Sequence, residues 1–210
     1  MQRREMMILT SLSMGAVVGC RSQKITEKPA DDPSIPWNQM HGDWQRVSGG
    51  DVEETENLKI GWGESITTVR WEGQLPQSPF EMKLSAKRVD GTDFFCAVTF
   101  PARMETDFVT LVIGGWGGSV VGISSIDGKD ASENETTTYQ KFETAVWYEI
   151  HLENREGRIV VSIDGESVID LDTTGKTLAL REGPISDCVP FGLATWQTTG
   201  LVKDIRWRGL

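Results

Sequence analysis

Apolar residues in this chain recur every second position, in short runs broken by Gly, Asp and Asn, and a period of two belongs to strands. Residues 66–72 form one such run, carrying Val69 and Trp71. At 80–87, Phe80, Met82, Leu84 and Ala86 alternate with Glu81, Lys83, Ser85 and Lys87, which predicts one core face and one solvated face. Asp90-Gly91-Thr92-Asp93 predicts a tight, hairpin-like turn into a strand at 94–100, because Asp-Gly accepts the positive φ of primed turns. Residues 108–113 and 119–124 flank GGWGG as two further strands. The runs 147–153, 158–163 and 166–171 follow one another across turns at 154–157 and Asp164-Gly165, as in a meander. Residues 190–197 and 201–207 close the pattern. In the latter, strict alternation sets Val202, Asp204 and Arg206 against Leu201, Lys203, Ile205 and Trp207. Roughly ten strands without a βαβ rhythm predict an all-β single domain, a jelly-roll β-sandwich of two antiparallel sheets.

The pattern changes at the N-terminus. Residues 1–20 read as an export leader: Arg3 and Arg4, an apolar run over 6–18, then Val17-Val18-Gly19-Cys20. That run is too short for a stable membrane span. Its closing tetrapeptide resembles a bacterial lipobox, so Cys20 is the expected lipidation site and the expected place is the bacterial cell envelope, at the periplasmic face or the outer membrane. Arg3-Arg4 leaves open whether export is general or twin-arginine. Residues 21–36 hold three prolines and mixed charge, a flexible tether that cannot bury enough apolar surface to order itself. The sandwich is expected over 37–210. In an oxidising compartment Cys96 and Cys188 are permitted to pair, whereas the apolar run around Cys96 suits a buried free thiol; both readings stay open.

Net charge sharpens the choice of partner. At −10 the chain lacks the clustered Lys and Arg that a nucleic-acid backbone requires, and an acidic surface suits a neutral or cationic ligand.

Three segments carry a family likeness: FEMKLSAKRVDGTDFF, WYEIHLENREGRIVVSIDGESVIDLD and FGLATWQTTGLVKDIRWRGL. Together they resemble the concanavalin A-like (laminin G-like) jelly rolls, and within them the 3-keto-disaccharide hydrolase domain family. GGWGGSVVGISSIDGKDASENETTT is similar to a compact, planctomycete-type lipoprotein subgroup. The likeness covers about residues 37–210 and implies a sandwich with a glycan-facing concave sheet. It transfers no catalytic motif residue by residue.

The stretch 113–138 concentrates the candidate chemistry. Trp116 among four glycines is either an unshielded platform for the C–H face of a sugar or a core plug in a tight turn. GGWGG lacks the Gly-Lys-Ser/Thr ending of a phosphate loop. Asp127, Asp130, Glu133, Asn134 and Glu135 then offer carboxylates and an amide for a sugar, hard oxygens for Ca²⁺, or a merely solvated loop; their spacing matches no EF-hand. Trp196 with Gln197, and Arg70 beside Trp71, are further candidate substrate contacts. Glu149, His151 and Glu153 share one strand face in a loose likeness of a glucanase carboxylate row, although Tyr148, Ile150 and Leu152 opposite them fit a plain half-solvated strand. No Ser-His-Asp, Cys-His or zinc spacing is present.

The leading expectation is therefore an exported protein directed at glycans, hydrolysing or eliminating 3-keto-glycosides. Asp127, Asp130, Glu133 or Glu135 would serve as the acid or base, and Arg70, Trp116, Asn134, Trp196 and Gln197 would hold the sugar. The alternative is a non-catalytic, lectin-like surface module. The expected partners are carbohydrate and, through Cys20, a membrane; no cofactor is required, with Ca²⁺ left open.

Overall fold

The computed structural model describes residues 34–103 and 106–210. The expected leader, Cys20 and the tether as far as residue 33 lie outside the described residues.

Two antiparallel sheets account for almost all regular structure. In chain order the strands are β1 (Asn38–Gln39), β2 (Trp44–Ser48), β3 (Val52–Glu54), β4 (Leu58–Ile60), β5 (Ile66–Trp71), β6 (Phe80–Gly91), β7 (Cys96–Pro101), β8 (Phe108–Gly115), β9 (Val120–Ser124), β10 (Thr138–Tyr139), β11 (Tyr148–Arg155), β12 (Arg158–Ile163), β13 (Glu166–Asp172), β14 (Gly192–Trp196) and β15 (Thr198–Gly209). One sheet runs β13-β12-β11-β6-β15-β4-β3, with β1 also paired to β15. The other runs β10-β9-β8-β7-β14-β5-β2. The all-β sandwich is as the residue pattern predicts, with more strands, because β1, β3, β4 and β10 are too short to show a period and β2 buries none of its five residues fully.

The core fills the space between the sheets. Phe80, Met82, Leu84 and Ala86 from β6 face Val98 and Phe100 from β7, Leu111 and Ile113 from β8, and Leu193 from β14. Phe80 and Phe100 meet edge to face at 6.1 Å, the geometry favoured by ring quadrupoles. Tyr148, Ile150 and Leu152 also point inward, as their alternation predicts.

Three local expectations are corrected. First, the turn at residues 90–93 does not close a hairpin, because β6 and β7 belong to different sheets and the turn carries the chain across the sandwich. Second, alternation fails in β15. The register shifts between Lys203 and Arg206, with Asp204 at φ 53°, so that Val202, Ile205 and Trp207 are all buried. A bulge adds one residue to one strand and so changes the phase of every side chain beyond it. Third, Glu81, expected on the wet face of β6, is only 4% exposed. Its carboxylate accepts from Arg208 Nε at 2.5 Å and lies 2.6 Å from His151 Nε2, which explains how a charge is accommodated there.

Cys96 and Cys188 are both free and buried. Cys96 belongs to the core between the sheets, whereas Cys188 packs with Ile66, Ala97, Ile185 and Ala194 on the other face of the second sheet. The sheet itself separates the two sulfurs.

Candidate functional site

The outer face of the second sheet carries the cleft. Several outward positions on its central strands are small, with Ala97 on β7, Thr110 on β8, Ser124 on β9 and Ala194 on β14. Small outward residues leave a depression, and a short 3-10 helix, Pro184–Cys188, covers one side of it. What remains is a cavity of about 180 Å³ lined by Ile66, Phe94, Ala97, Thr110, Val112, Trp116, Ser124, Arg181, Glu182, Pro184, Ile185 and Trp196.

Trp116 and Trp196 both reach this cleft, at 40% and 37% exposure. Trp116 is therefore at the surface and not a plug of the core. Its position follows from the glycines: Gly114, Gly117 and Gly118 have φ of 77°, 84° and 102°, and Trp116 itself sits at 48°. The turn is pinned from two sides. Gly117 N donates to Asp93 Oδ2 at 3.1 Å, and the buried Arg88 donates from Nη2 to Gly118 O at 3.1 Å. Arg88 also reaches Phe142 O at 3.3 Å and Asp93 O at 3.2 Å. Burial lowers the Arg88 pKa from its ordinary value, opposed by the nearby Asp93 charge. Trp196 ends β14 and meets Phe94 at 6.4 Å between ring centroids.

Polar groups stand at the rim. The Arg181 guanidinium lies 5.9 Å from the Trp116 ring centroid, and its Nε is 3.3 Å from Asp130 Oδ2. Ser124 Oγ donates to Asp130 Oδ1 at 3.2 Å. One carboxylate of the acidic loop thus reaches the cleft through two residues that line it. Glu182 lines the cleft directly.

The other candidates are engaged elsewhere. Asp127 Oδ1 accepts from Thr177 N at 2.8 Å, and Glu135 pairs with Lys176, so both tie the loop to the turn after β13. Glu133 is exposed. Asn134 organises the loop from within: Nδ2 donates to Ile123 O, Lys129 O and Asp130 O at 2.7, 3.1 and 2.8 Å, and Oδ1 accepts from Thr136 N at 2.9 Å. The loop carboxylates do not converge on a point, and among the described residues no group of three His, Cys, Asp or Glu side chains is arranged to hold a metal ion. Arg70 is held by Glu72 at 2.7 Å and lies outside the residues lining the cleft. Gln197 turns to the loop between β4 and β5, donating from N to Ser65 O at 2.7 Å and from Nε2 to Glu64 O at 3.3 Å. Glu149 is exposed; His151 joins Glu81, and Glu153 pairs with Arg155, on the other sheet. Arg181, Glu182 and Phe94 are cleft residues with no distinguishing signal in the sequence, since no motif or spacing marks them.

No protein-family model matches the sequence, and no curated protein does. Solved structures do match in shape. The carbohydrate-binding module CBM66 from Bacillus subtilis aligns with a TM-score of 0.53 at 14% identity, covering 83% of this chain and 100% of that one. The fold is that of the concanavalin A-like sandwiches. The exoplasmic/lumenal domain of VIP36, in its Ca²⁺/Man3GlcNAc-bound form, aligns with a TM-score of 0.55 at 10% identity over 81% of this chain and 86% of that one. The transglycosylase Crh5 gives 0.56 at 12% identity, covering 84% of each. Identities this low carry the fold alone.

Proposed function

We propose that this chain binds carbohydrate in the cleft between Trp116 and Trp196. One observation carries the reading: two part-exposed indoles open onto a single cleft whose rim holds a guanidinium and carboxylates. A pyranose offers an apolar C–H face that stacks on an indole and hydroxyls that bond to planar polar groups, so the set matches both halves of a sugar. Proteins of the same fold lend support, one of them named as a carbohydrate-binding module and another bound to Man3GlcNAc.

A second reading rests on Asp130 and Glu182 beside that cleft and on the resemblance to the 3-keto-disaccharide hydrolases. A ketone at C3 acidifies the C2 proton. One carboxylate would take that proton, the C–H electron pair would form the C1–C2 double bond, and the C1–O bond would break as the departing glycosidic oxygen gains a proton. Water would then add to the unsaturated product. In the same proposal the protein acts at the bacterial cell envelope, anchored through Cys20.

Titration of the protein with neutral oligosaccharides, followed by tryptophan fluorescence, tests the binding reading. Saturable binding that Trp116→Ala abolishes is the expected result, and an unchanged signal with every glycan overturns it. Incubation with 3-keto-disaccharides and mass spectrometry of products separates the two readings. Cleavage that Asp130→Asn or Glu182→Gln reduces supports catalysis, whereas binding without product leaves a lectin-like module.

A further inference from the structure

Trp62 lies in a loop between β4 and β5 and is 51% exposed. It stands in a groove of about 740 Å³ whose walls include Gly50, Glu64 and Asp187. Ile66 and Pro184 line this groove and also the cleft of Trp116 and Trp196, so the two depressions adjoin along a common wall.

The loop is rigidly placed. Thr67 Oγ1 accepts from Gly50 N at 2.8 Å and donates to Gly61 O at 2.8 Å, while Gly61 N donates to Asp51 O at 2.7 Å. Backbones approach so closely that a Cβ on Gly50 would lie 2.1 Å from the Trp62 carbonyl oxygen. Gln197, next to Trp196, fixes the far end of the loop through Ser65 O and Glu64 O. The locked backbone fixes where Trp62 leaves the chain, so that half of a large indole stands in water beside the cleft, where a ligand that stacks on it would bury apolar surface. Its neighbours Glu64 and Asp187 are hydrogen-bond acceptors suited to hydroxyl groups.

We infer that Trp62 is the platform of a second sugar subsite, and that the ligand is an oligosaccharide chain running from the Trp116–Trp196 cleft past Ile66 and Pro184 into the Trp62 groove. The inference rests on the carbohydrate reading above. Gln197 then acts as a positioning residue that keeps the two aromatic stations in register.

The test compares the full chain with its Trp62→Ala, Trp62→Phe and Trp116→Ala variants. Calorimetric titration uses monosaccharides and the matching oligosaccharide ladders up to the hexasaccharide, in gluco-, manno- and fructo-series. The expected result is affinity that rises with chain length in the wild type. Trp62→Ala removes that rise, weakening the longest oligosaccharide about tenfold while leaving the shortest bound as before. Trp62→Phe restores most of it, which a merely unfolded variant would not permit. Trp116→Ala weakens every length. If Trp62→Ala binds all lengths as the wild type does while Trp116→Ala loses them, the second subsite is overturned and the carbohydrate reading stands. If no ladder binds, both are overturned.

Discussion

Asp93 Oδ2 accepts a hydrogen bond from the amide of Gly117 at 3.1 Å, immediately after Trp116. The same carboxylate accepts from Phe94 N at 2.8 Å, and the Asp93 amide donates to Thr198 Oγ1 at 3.1 Å, two residues beyond Trp196. One acidic residue at the crossing between the sheets therefore touches the supports of all three cleft aromatics. Asp93→Ala is expected to cost about 1–2 kcal/mol of stability and to weaken the proposed glycan binding several-fold, because the Trp116 turn loses a charge-assisted anchor. Thermal unfolding and titration read the two effects. Full affinity in the variant would show that Arg88 alone holds the turn.

Arg88 supplies the other anchor, donating to three backbone carbonyls from a side chain only 6% exposed. Arg88→Met removes the charge and leaves those carbonyls without that donor. Denaturant unfolding is expected to show a loss of about 3 kcal/mol. Arg88→Lys is not expected to rescue it, because an ammonium cannot span the same fork of acceptors. A Lys variant as stable as the wild type would refute the fork argument.

Asn134 makes a sharper case. Its amide nitrogen meets three carbonyl oxygens, so a carboxylate in its place would set negative charge against acceptors. Asn134→Asp is thus expected to lower stability at neutral pH by about 1–3 kcal/mol, and to recover as acid protonates the new side chain. Unfolding midpoints measured across pH check the sign. Equal stability at acid and neutral pH would mean that the amide bonds do not hold the loop.

Burial pushes the thiols of Cys96 and Cys188 up to about 12, the latter helped by the Asp187 charge. At pH 8 both remain protonated and shielded. Iodoacetamide followed by peptide mapping is expected to leave both unlabelled in the native protein and to label both once it is unfolded. Native labelling of Cys188 alone would indicate that the Pro184–Cys188 helix opens over the cleft wall.

Much of the architecture was legible in the residues. The core face of β6 and the meander of β11 to β13 follow from period-two alternation, since a pleated strand sends successive side chains to opposite faces. The bulge at Asp204 was not legible, because one inserted residue changes phase without changing composition. The candidate cleft was partly legible. Trp116 was singled out by its glycines and Trp196 by its aromatic-amide pairing, and both open onto the cleft. Asn134 looked like a ligand residue for the same reason that it is an effective loop organiser: an amide donates and accepts at once.

By itself the sequence determined that this chain makes two packed antiparallel sheets, because alternation and turn chemistry are local properties. Only the tertiary structure decided which residues share a surface. Trp62, Trp116, Arg181 and Trp196 are far apart along the chain, and the last three meet because β14 inserts between β5 and β7 while the segment before the 3-10 helix returns over that sheet. It also divided the acidic loop. Asp130 turns toward the cleft through Arg181 and Ser124, while Asp127 and Glu135 are drawn the other way by Thr177 and Lys176. Such choices depend on partners distant in sequence, and no local pattern can encode them.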